Sequence, residues 1–379
     1  MSAAPRIRGW CPGAYRPMMS GDGLVVRVRP RLSRISRDQA LGLCDLAARF
    51  GNGAIDLTSR ANLQIRGVTE SDHLTLINAL VALDLVDADP EAEHRRNIVV
   101  TPMAPAGDLT RALFDVLVEQ LPGLPELPDK VGYAIDTGPA PVLSTVSADF
   151  RFETAPDGTA ILRADGASSG MSVTAADAMQ KLRRLIDWFC ATGGPEAGRM
   201  SRHLKNTALP REFTGSLPAP AGRPMAPGAA TDGQVYGATF GQTDADALRS
   251  LVVDSKATAL RVTPWRLLVL ENAEPVSGSD FIATPGDPLL RVHACPGAPR
   301  CSQAQVETRS IAKRLAHQLV PGTNLHVSGC AKGCAHPRAA DITLVGNAAR
   351  FDLVRKGAAW DEPARKSLSA TETLKEMTG

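Results

Sequence analysis

The sequence predicts a duplicated α+β protein with pseudo-two-fold symmetry. Three observations predict it. The order strand, helix, strand, strand is read once in each half of the chain. A stretch crowded with Pro, Gly and Ala, "TGSLPAPAGRPMAPGAATDG" at 214–233, interrupts all periodicity between those halves and reads as a linker. At 379 residues the chain is too long for one ordinary core, so two or three domains are expected.

The elements follow in order. An opening loop, "GWCPGAYRPMMSGDG", leads into a strand at "LVVRVRP". The next segment, "SRDQALGLCDLAARFG", is helical: Ser36 is the N-cap, Leu43, Leu46, Ala47 and Phe50 form an apolar face, and Gly51 stops it. Strands at "AIDLTSR" and "NLQIRGV" come next, then a helix at "SDHLTLINALVAL". Alternation in "LQIRGV" places Gln64 and Arg66 on one side of the strand and the apolar residues on the other. After the linker the series repeats with "QVYGATFG", "DADALRSLVV", "ATALRVT" and "WRLLVLE", which puts Thr58 and Thr263 at equivalent places.

Composition narrows the function classes. Hydrophobic residues make up 44% and charged residues 22%, as in a soluble globular protein, and the formal net charge is only +2. No global field argues for nucleic acid or membrane, so any anion must be held by local Arg and Lys groups. No signal peptide and no run of ~18 apolar residues is visible, and a cytoplasmic location is expected. Seven cysteines, an odd number, favour reduced or metal-ligating thiols over a disulfide framework.

Four of those thiols lie in two short turns, Cys295-x5-Cys301 in "HACPGAPRC" and Cys330-x3-Cys334 in "CAKGC". Zinc knuckles prefer C-x2-C or C-x4-C, so zinc is the weaker reading. An iron-sulfur cluster is bulkier and accepts wider, unequal spacings. Ser302 with Gln305 has the form of a capping box ahead of apolar Val306, Ile311, Leu315 and Leu319, which would set Cys301 at a helix N-terminus. Gly329 and Gly333 permit tight turns around Cys330 and Cys334. Cys44 and Cys190 lie on apolar helical faces and read as core, while Cys11, in the opening loop, reads as a structural thiol with a place at the site as the alternative.

"ACPGAPRCSQAQVE" and "VSGCAKGCAHPRAADITLVG" resemble the cluster signature of the sulfite and nitrite reductase family. "IDLTSRANLQIRGV" is similar to that family's ferredoxin-like half-domain, "RRNIVVTP" to the start of its cluster-bearing domain, and "LPDKVGYAID" to its substrate-lysine segment. The resemblance implies ferredoxin-like half-domains at 1–90 and 234–288, a reductase-type α/β domain at 91–213, a cluster-binding α/β domain at 289–357 and a tail at 358–379. It implies that Cys295, Cys301, Cys330 and Cys334 hold a 4Fe-4S cluster, the last bridging to sirohaem iron in the reductases. Arg29, Thr58, Arg60 and Arg96 match residues that bind the macrocycle carboxylates or the small anion, and Lys130 matches an anion-contacting lysine. Bidentate guanidinium pairing suits such carboxylates on physical grounds as well.

Departures from the family select a branch. Gly132 stands where the reductases place a second lysine, His336 stands beside the cluster turn, and the chain is short. The pattern looks most like the precorrin-3B synthase branch, whose implied reaction is oxygen-dependent hydroxylation of precorrin-3A at C20 with closure of a γ-lactone from the ring A acetate. The pocket would then take a tetrapyrrole as substrate, together with O2 and an electron donor. A mononuclear non-haem iron is also implied, with ligands the sequence does not fix. His293 and His336 are nearest in sequence to the cysteines, with His326 close behind and Asp341 as a carboxylate; His336 is the tentative catalytic residue. Two alternatives stay open: a sirohaem nitrite or sulfite reductase, and a non-catalytic iron-sulfur electron carrier.

Overall fold

Two strands, β1 (Met18–Ser20) and β2 (Gly23–Val28), lead the computed structural model, which describes residues 12–104 and 108–378. Cys11 lies outside the described residues. Next come β3 (Arg34–Ser36), α1 (Arg37–Phe50), β4 (Ala54–Leu57), β5 (Leu63–Val68) and α2 (Glu70–Ala82). The expected cap on α1 is present. Ser36 Oγ accepts from the Gln39 amide at 3.2 Å, and Gln39 Oε1 accepts from the Ser36 amide at 2.9 Å. Leu43, Cys44 and Ala47 are buried beneath that helix, while Leu46 and Phe50 pack at its edge.

The chain continues through α3 (Pro90–Arg95), β6 (Ile98–Val100), α4 (Leu109–Gln120), β7 (Tyr133–Asp136), β8 (Phe150–Thr154), β9 (Ala160–Ala164) and β10 (Met171–Ser172). Helix α5 (Ala178–Ala191) and the short α6 (Gly194–Ala197) and α7 (Met200–His203) follow, with Cys190 partly buried at the edge of their core. Strands β6, β7 and β8 run parallel and β9 and β10 antiparallel, in sequential order.

The second half repeats both units. It holds β11 (Gly228–Ala230), β12 (Gly233–Gly237), β13 (Gln242–Asp244), α8 (Ala245–Asp254), β14 (Ala259–Val262) and β15 (Leu267–Glu271). Then come β16 (Val292–Ala294), α9 (Arg309–Ala316), β17 (Leu325–Ser328), β18 (Ala340–Asn347), β19 (Arg350–Gly357), β20 (Arg365–Leu368) and α10 (Ala370–Thr378). β16, β17 and β18 are parallel, and β19 and β20 antiparallel, the same arrangement as in the first half.

The ferredoxin-like sheets exchange an edge strand. One has the order β1-β2-β5-β4-β13 and the other β11-β12-β15-β14-β3, so each half completes its sheet with three residues from the other. Both exchanges follow the same kink, Leu32 at φ 53° and Phe240 at φ 56°. Leu43, Ile55 and Ile65 share one core with Leu248, Leu260 and Leu270. The equivalence of Thr58 and Thr263 is also borne out. Thr58 Oγ1 accepts from the amides of Arg60 and Asn62, and Thr263 Oγ1 from those of Trp265 and Leu267.

Two expectations about connections are corrected. The 214–233 stretch is a pinned strap rather than a loose linker: Ala219 N donates to Thr154 O at 2.7 Å, Gly222 N to Pro141 O at 2.8 Å, and its end forms β11. The expected tail at 358–379 is corrected as far as residue 378: residues 358–378 supply β20 and α10, with Leu368 buried against the last sheet, and β20 covers the edge that β19 would otherwise present.

Candidate functional site

The four spaced cysteines gather at the carboxyl ends of β16 and β17. Cys295 directly follows β16, Cys301 lies in the loop toward α9, and Cys330 and Cys334 lie in the turn after β17. That end of a parallel pair is where α/β sheets place their ligands. The loops lock together through Gln305 N, which donates to Gly329 O at 2.9 Å, and Thr308 Oγ1, which donates to Cys295 O at 2.6 Å. Gly329 is required for closeness: a Cβ there would fall 2.6 Å from Ala304 Cβ. Gly333 turns the second loop with φ 66°.

The capping box expected at Ser302 does not form. Gln305 spends its carbonyl on Ala348 N at 2.5 Å, and the helix begins only at Arg309, so Cys301 sits in a turn and not at a helix N-terminus. Thiolate stabilisation comes instead from loop amides, chiefly Gly329 N, which donates to Cys295 Sγ at 3.2 Å.

All four sulfurs feel one another. Burial pushes the Cys295 thiol up, the Gly329 and Gly297 amides oppose this, and neighbouring Cys301 and Cys330 add to the rise. Cys334 is exposed at the surface of its turn, yet crowding around its sulfur pushes the thiol up to about 11, with Lys332 pulling the other way and the three other thiols adding to the effect. None of the four is in a disulfide. Among the described residues no three His, Cys, Asp or Glu side chains converge as they would on one ion. Mutually repelling thiols that do not share a single ion's coordination sphere fit an occupant of cluster size carrying several cations.

Three histidines stand against this turn. His293 and His326 are register partners on β16 and β17, and His336 follows Cys334. The His336 ring lies 4.3 Å from that of His293 and 5.8 Å from that of His326. Burial holds His293 down to about 2 and His326 to about 4, so both rings are neutral. Asp341 is not with them. It lies at the start of β18, away from the thiols, and accepts from Asn324 N at 2.8 Å.

The predicted carboxylate-binding arginines fall into two groups. Arg29 and Arg96 are buried and converge on Glu93, at 2.8 Å each, and Arg96 also meets Asp87 at 2.7 Å. Their charges are thus met by the chain's own carboxylates, and Arg29 Nε is buried without a hydrogen-bond partner. Arg60 reaches across to the lysine segment, donating to Lys130 O at 2.9 Å and Ser147 Oγ at 3.2 Å. Thr58 serves the turn described above. Arg66, on the polar side of β5 as alternation requires, is closed off by Asp22 and Asp56. Sequence reasoning missed Arg300 and Arg309, which flank the Cys301 loop and share Gln242 Oε1; only their proximity to Cys301 in sequence could have flagged them.

Position 132 explains the missing lysine. A Cβ there would fall 2.8 Å from both Asn97 Nδ2 and Asn97 O, and Asn97 Nδ2 is itself engaged with Val131 O at 2.7 Å. The backbone therefore leaves no room for a side chain.

Comparison with known proteins agrees with this architecture. Residues 16–83 match the nitrite/sulfite reductase ferredoxin-like half domain. A precorrin-3B synthase from Sinorhizobium sp is 31% identical, covering 94% of this chain and 85% of its own. A ferredoxin–nitrite reductase from Leptolyngbya laminosa is 24% identical, covering 92% and 81%. The structure of the Mycobacterium tuberculosis NirA protein superposes with a TM-score of 0.66 at 17% identity, covering 94% of this chain and 79% of that one. On this relationship the chain is an enzyme of the precorrin-3B synthase family, built on the nitrite and sulfite reductase fold.

Proposed function

We propose that the protein is an oxygen-dependent precorrin-3B synthase acting in cobalamin synthesis. The observation that carries the reading is the 31% identity to a precorrin-3B synthase across 94% of the chain. Gly132 adds to it, because the charge pair by which the reductases hold a small anion is incomplete and the backbone has no space to restore it. Membership in an enzyme family sets aside the electron-carrier alternative.

In this reading precorrin-3A occupies the macrocycle position, with its carboxylates met by Arg29, Thr58, Arg60, Arg96 and Lys130. Arg29 supports this through its buried, unpartnered Nε, and Arg60 through its place beside Lys130. One atom of O2 enters the macrocycle at C20 and the ring A acetate closes the lactone. The other atom leaves as water, with two electrons and two protons from an external one-electron donor acting twice. Cys295, Cys301, Cys330 and Cys334 would hold a 4Fe-4S cluster. When bound, that cluster supplies one-electron storage and a mononuclear iron supplies O2 activation. The chain's own task is to hold a polyanion still beside the thiol turn.

An anaerobic visible spectrum with iron and sulfide analysis, before and after adding precorrin-3A, tests this. Broad iron-sulfur absorbance alone, macrocycle bands only after addition, and O2-dependent product one oxygen heavier support it. Sharp macrocycle bands in the protein as purified would point to bound sirohaem and a reductase. A Cys301→Ser variant should lose the broad absorbance; its survival would remove the cluster assignment.

A further inference from the structure

We infer that the cavity between the Cys295–Cys301 loop and the exchanged strand β13 binds a small organic carboxylate through Arg300, Arg309 and Lys313. The inference goes beyond the proposed reaction and rests on this cavity alone.

The cavity holds about 550 Å³, room for an acid of several carbons. Phe240, Phe281, Ala298 and Pro299 give it apolar walls, and the three cations line it as well. Gln242 sets their geometry. Its Oε1 accepts from Arg300 Nη1 at 2.8 Å and also from Arg309 Nη1. Its Nε2 donates to Asp56 Oδ1 at 2.5 Å, which fixes the carbonyl toward the two guanidinium groups. Both guanidinium groups therefore meet on one neutral oxygen. Among the described residues no carboxylate lies within ion-pair distance of Arg300, Arg309 or Lys313, and Arg309 Nε is buried without any partner. Burial lowers the Arg309 pKa and the charges of Arg300 and Arg66 lower it further, with Asp56 and Cys295 offsetting part of this. Crowded, half-desolvated cations without a counter-charge are costly to keep, and an arriving carboxylate relieves that cost with bidentate, charge-assisted bonds.

The duplicated fold supplies an internal control. Arg34 and Gln242 are equivalent, each two residues after its kink, at Leu32 and Phe240, and each on an exchanged strand. At the Arg34 exchange two guanidinium groups also meet, but on a carboxylate: Glu271 accepts from Arg34 at 2.7 Å and from Arg261 at 2.5 Å. The fold thus neutralises such a pair where it serves as a permanent clamp. At Gln242 it leaves the pair charged and puts a cavity beside it.

Three carboxylates also border the cavity, and each is accounted for. Asp244 Oδ1 accepts from Asp246 N at 2.9 Å and Glu307 Oε1 from Arg309 N at 3.0 Å, so both are spent on the first turns of α8 and α9. Asp280 is exposed to water. The apolar walls favour an anion borne on a carbon skeleton over a bare inorganic ion. Two sources supply one: a free di- or tricarboxylic acid, or an acid side chain of a larger molecule such as the macrocycle.

The test is titration calorimetry of the purified full chain with succinate in low-salt buffer. Wild type should bind one succinate per chain, more weakly as salt rises. Arg309→Met should weaken binding about tenfold and the exposed Lys313→Met about threefold. Gln242→Glu, which gives this exchange the carboxylate that Glu271 gives the other, should abolish it. If Arg309→Met and Gln242→Glu do not fold, Lys313→Met decides alone. A wild type that takes up no succinate, or binding that the substitutions leave unchanged, would overturn the proposal. Succinate displaced by precorrin-3A would identify the macrocycle's acid side chains as the occupant, and succinate held in its presence would identify a free acid; both support the site. Arginine-dependent succinate binding in a protein that does not convert precorrin-3A would leave this site standing and remove the functional reading.

Discussion

Gly132 shows how one missing side chain can be structural and functional at once. Because a Cβ at this position would press on both the side chain and the carbonyl of Asn97, Gly132→Lys is expected to destabilise the protein by about 1–3 kcal/mol, as overpacking does. It is also expected to confer no sulfite or nitrite reduction. Denaturant unfolding and an assay with reduced donor check both halves, and a stable variant with reductase activity would refute the argument. At this scale the grouping of Cys295, Cys301, Cys330 and Cys334 was legible, since the two spaced pairs in the sequence do meet at the carboxyl ends of β16 and β17. The histidines were legible only as candidates. What joins them is the register of β16 on β17, and nothing local in "RVHAC" or "LHVSGC" encodes that pairing.

Element by element, legibility followed locality. The Ser36 N-cap forms as expected, and Gln39 completes it as a capping box beyond that expectation; the similar pair Ser302 and Gln305 fails because Gln305 has better partners at Ala348 and Gly329. β7 and β8 are buried along their whole length, so they carry no alternation to read. The exchanged strands β3 and β13 are three residues each and acquire meaning only from a distant neighbour. One exchange is clamped by charge: Glu271 of β15 accepts from Arg34 of β3 at 2.7 Å and from Arg261 of β14 at 2.5 Å. Burial alone would raise Glu271, but the hydrogen bonds from Arg34 and Arg261 and their charges outweigh it and hold the carboxyl below its usual range. A carboxylate with a depressed folded pKa stabilises above its unfolded value of ~4.3 and loses that contribution as pH falls through the folded value. Glu271→Gln should therefore lower stability by about 1 kcal/mol at pH 7, and the gap from wild type should close on acidification below ~pH 4. Thermal unfolding across pH reads this, and a gap that is constant with pH would exclude the clamp.

For the whole molecule, duplication and exchange together make a statement about folding. Each ferredoxin-like sheet has an edge strand from the other half, and the core beneath α1 and α8 draws Leu43, Ile55 and Ile65 from one half and Leu248, Leu260 and Leu270 from the other. A fragment spanning 12–213 would leave the β4 edge open where β13 belongs, and a fragment spanning 228–379 would leave β14 open where β3 belongs. Each would also expose its share of a common apolar core to water, at about 25 cal/mol for every Å² uncovered. Neither fragment is expected to unfold cooperatively by itself, whereas the two co-expressed should co-purify and regain one shared transition. The 214–233 strap does not replace the exchange: it is bonded to the first half's α/β unit through Ala219 to Thr154 and Gly222 to Pro141 and to the second half's sheet through β11 on β12, and it pairs with neither the β4 edge nor the β14 edge. Two separately cooperative fragments would mean that the exchanged strands are decoration on independent domains. A single transition restored only by mixing would mean that the thiol turn and the arginine-bearing strands are held in register by one folding unit, as a site assembled from both halves requires.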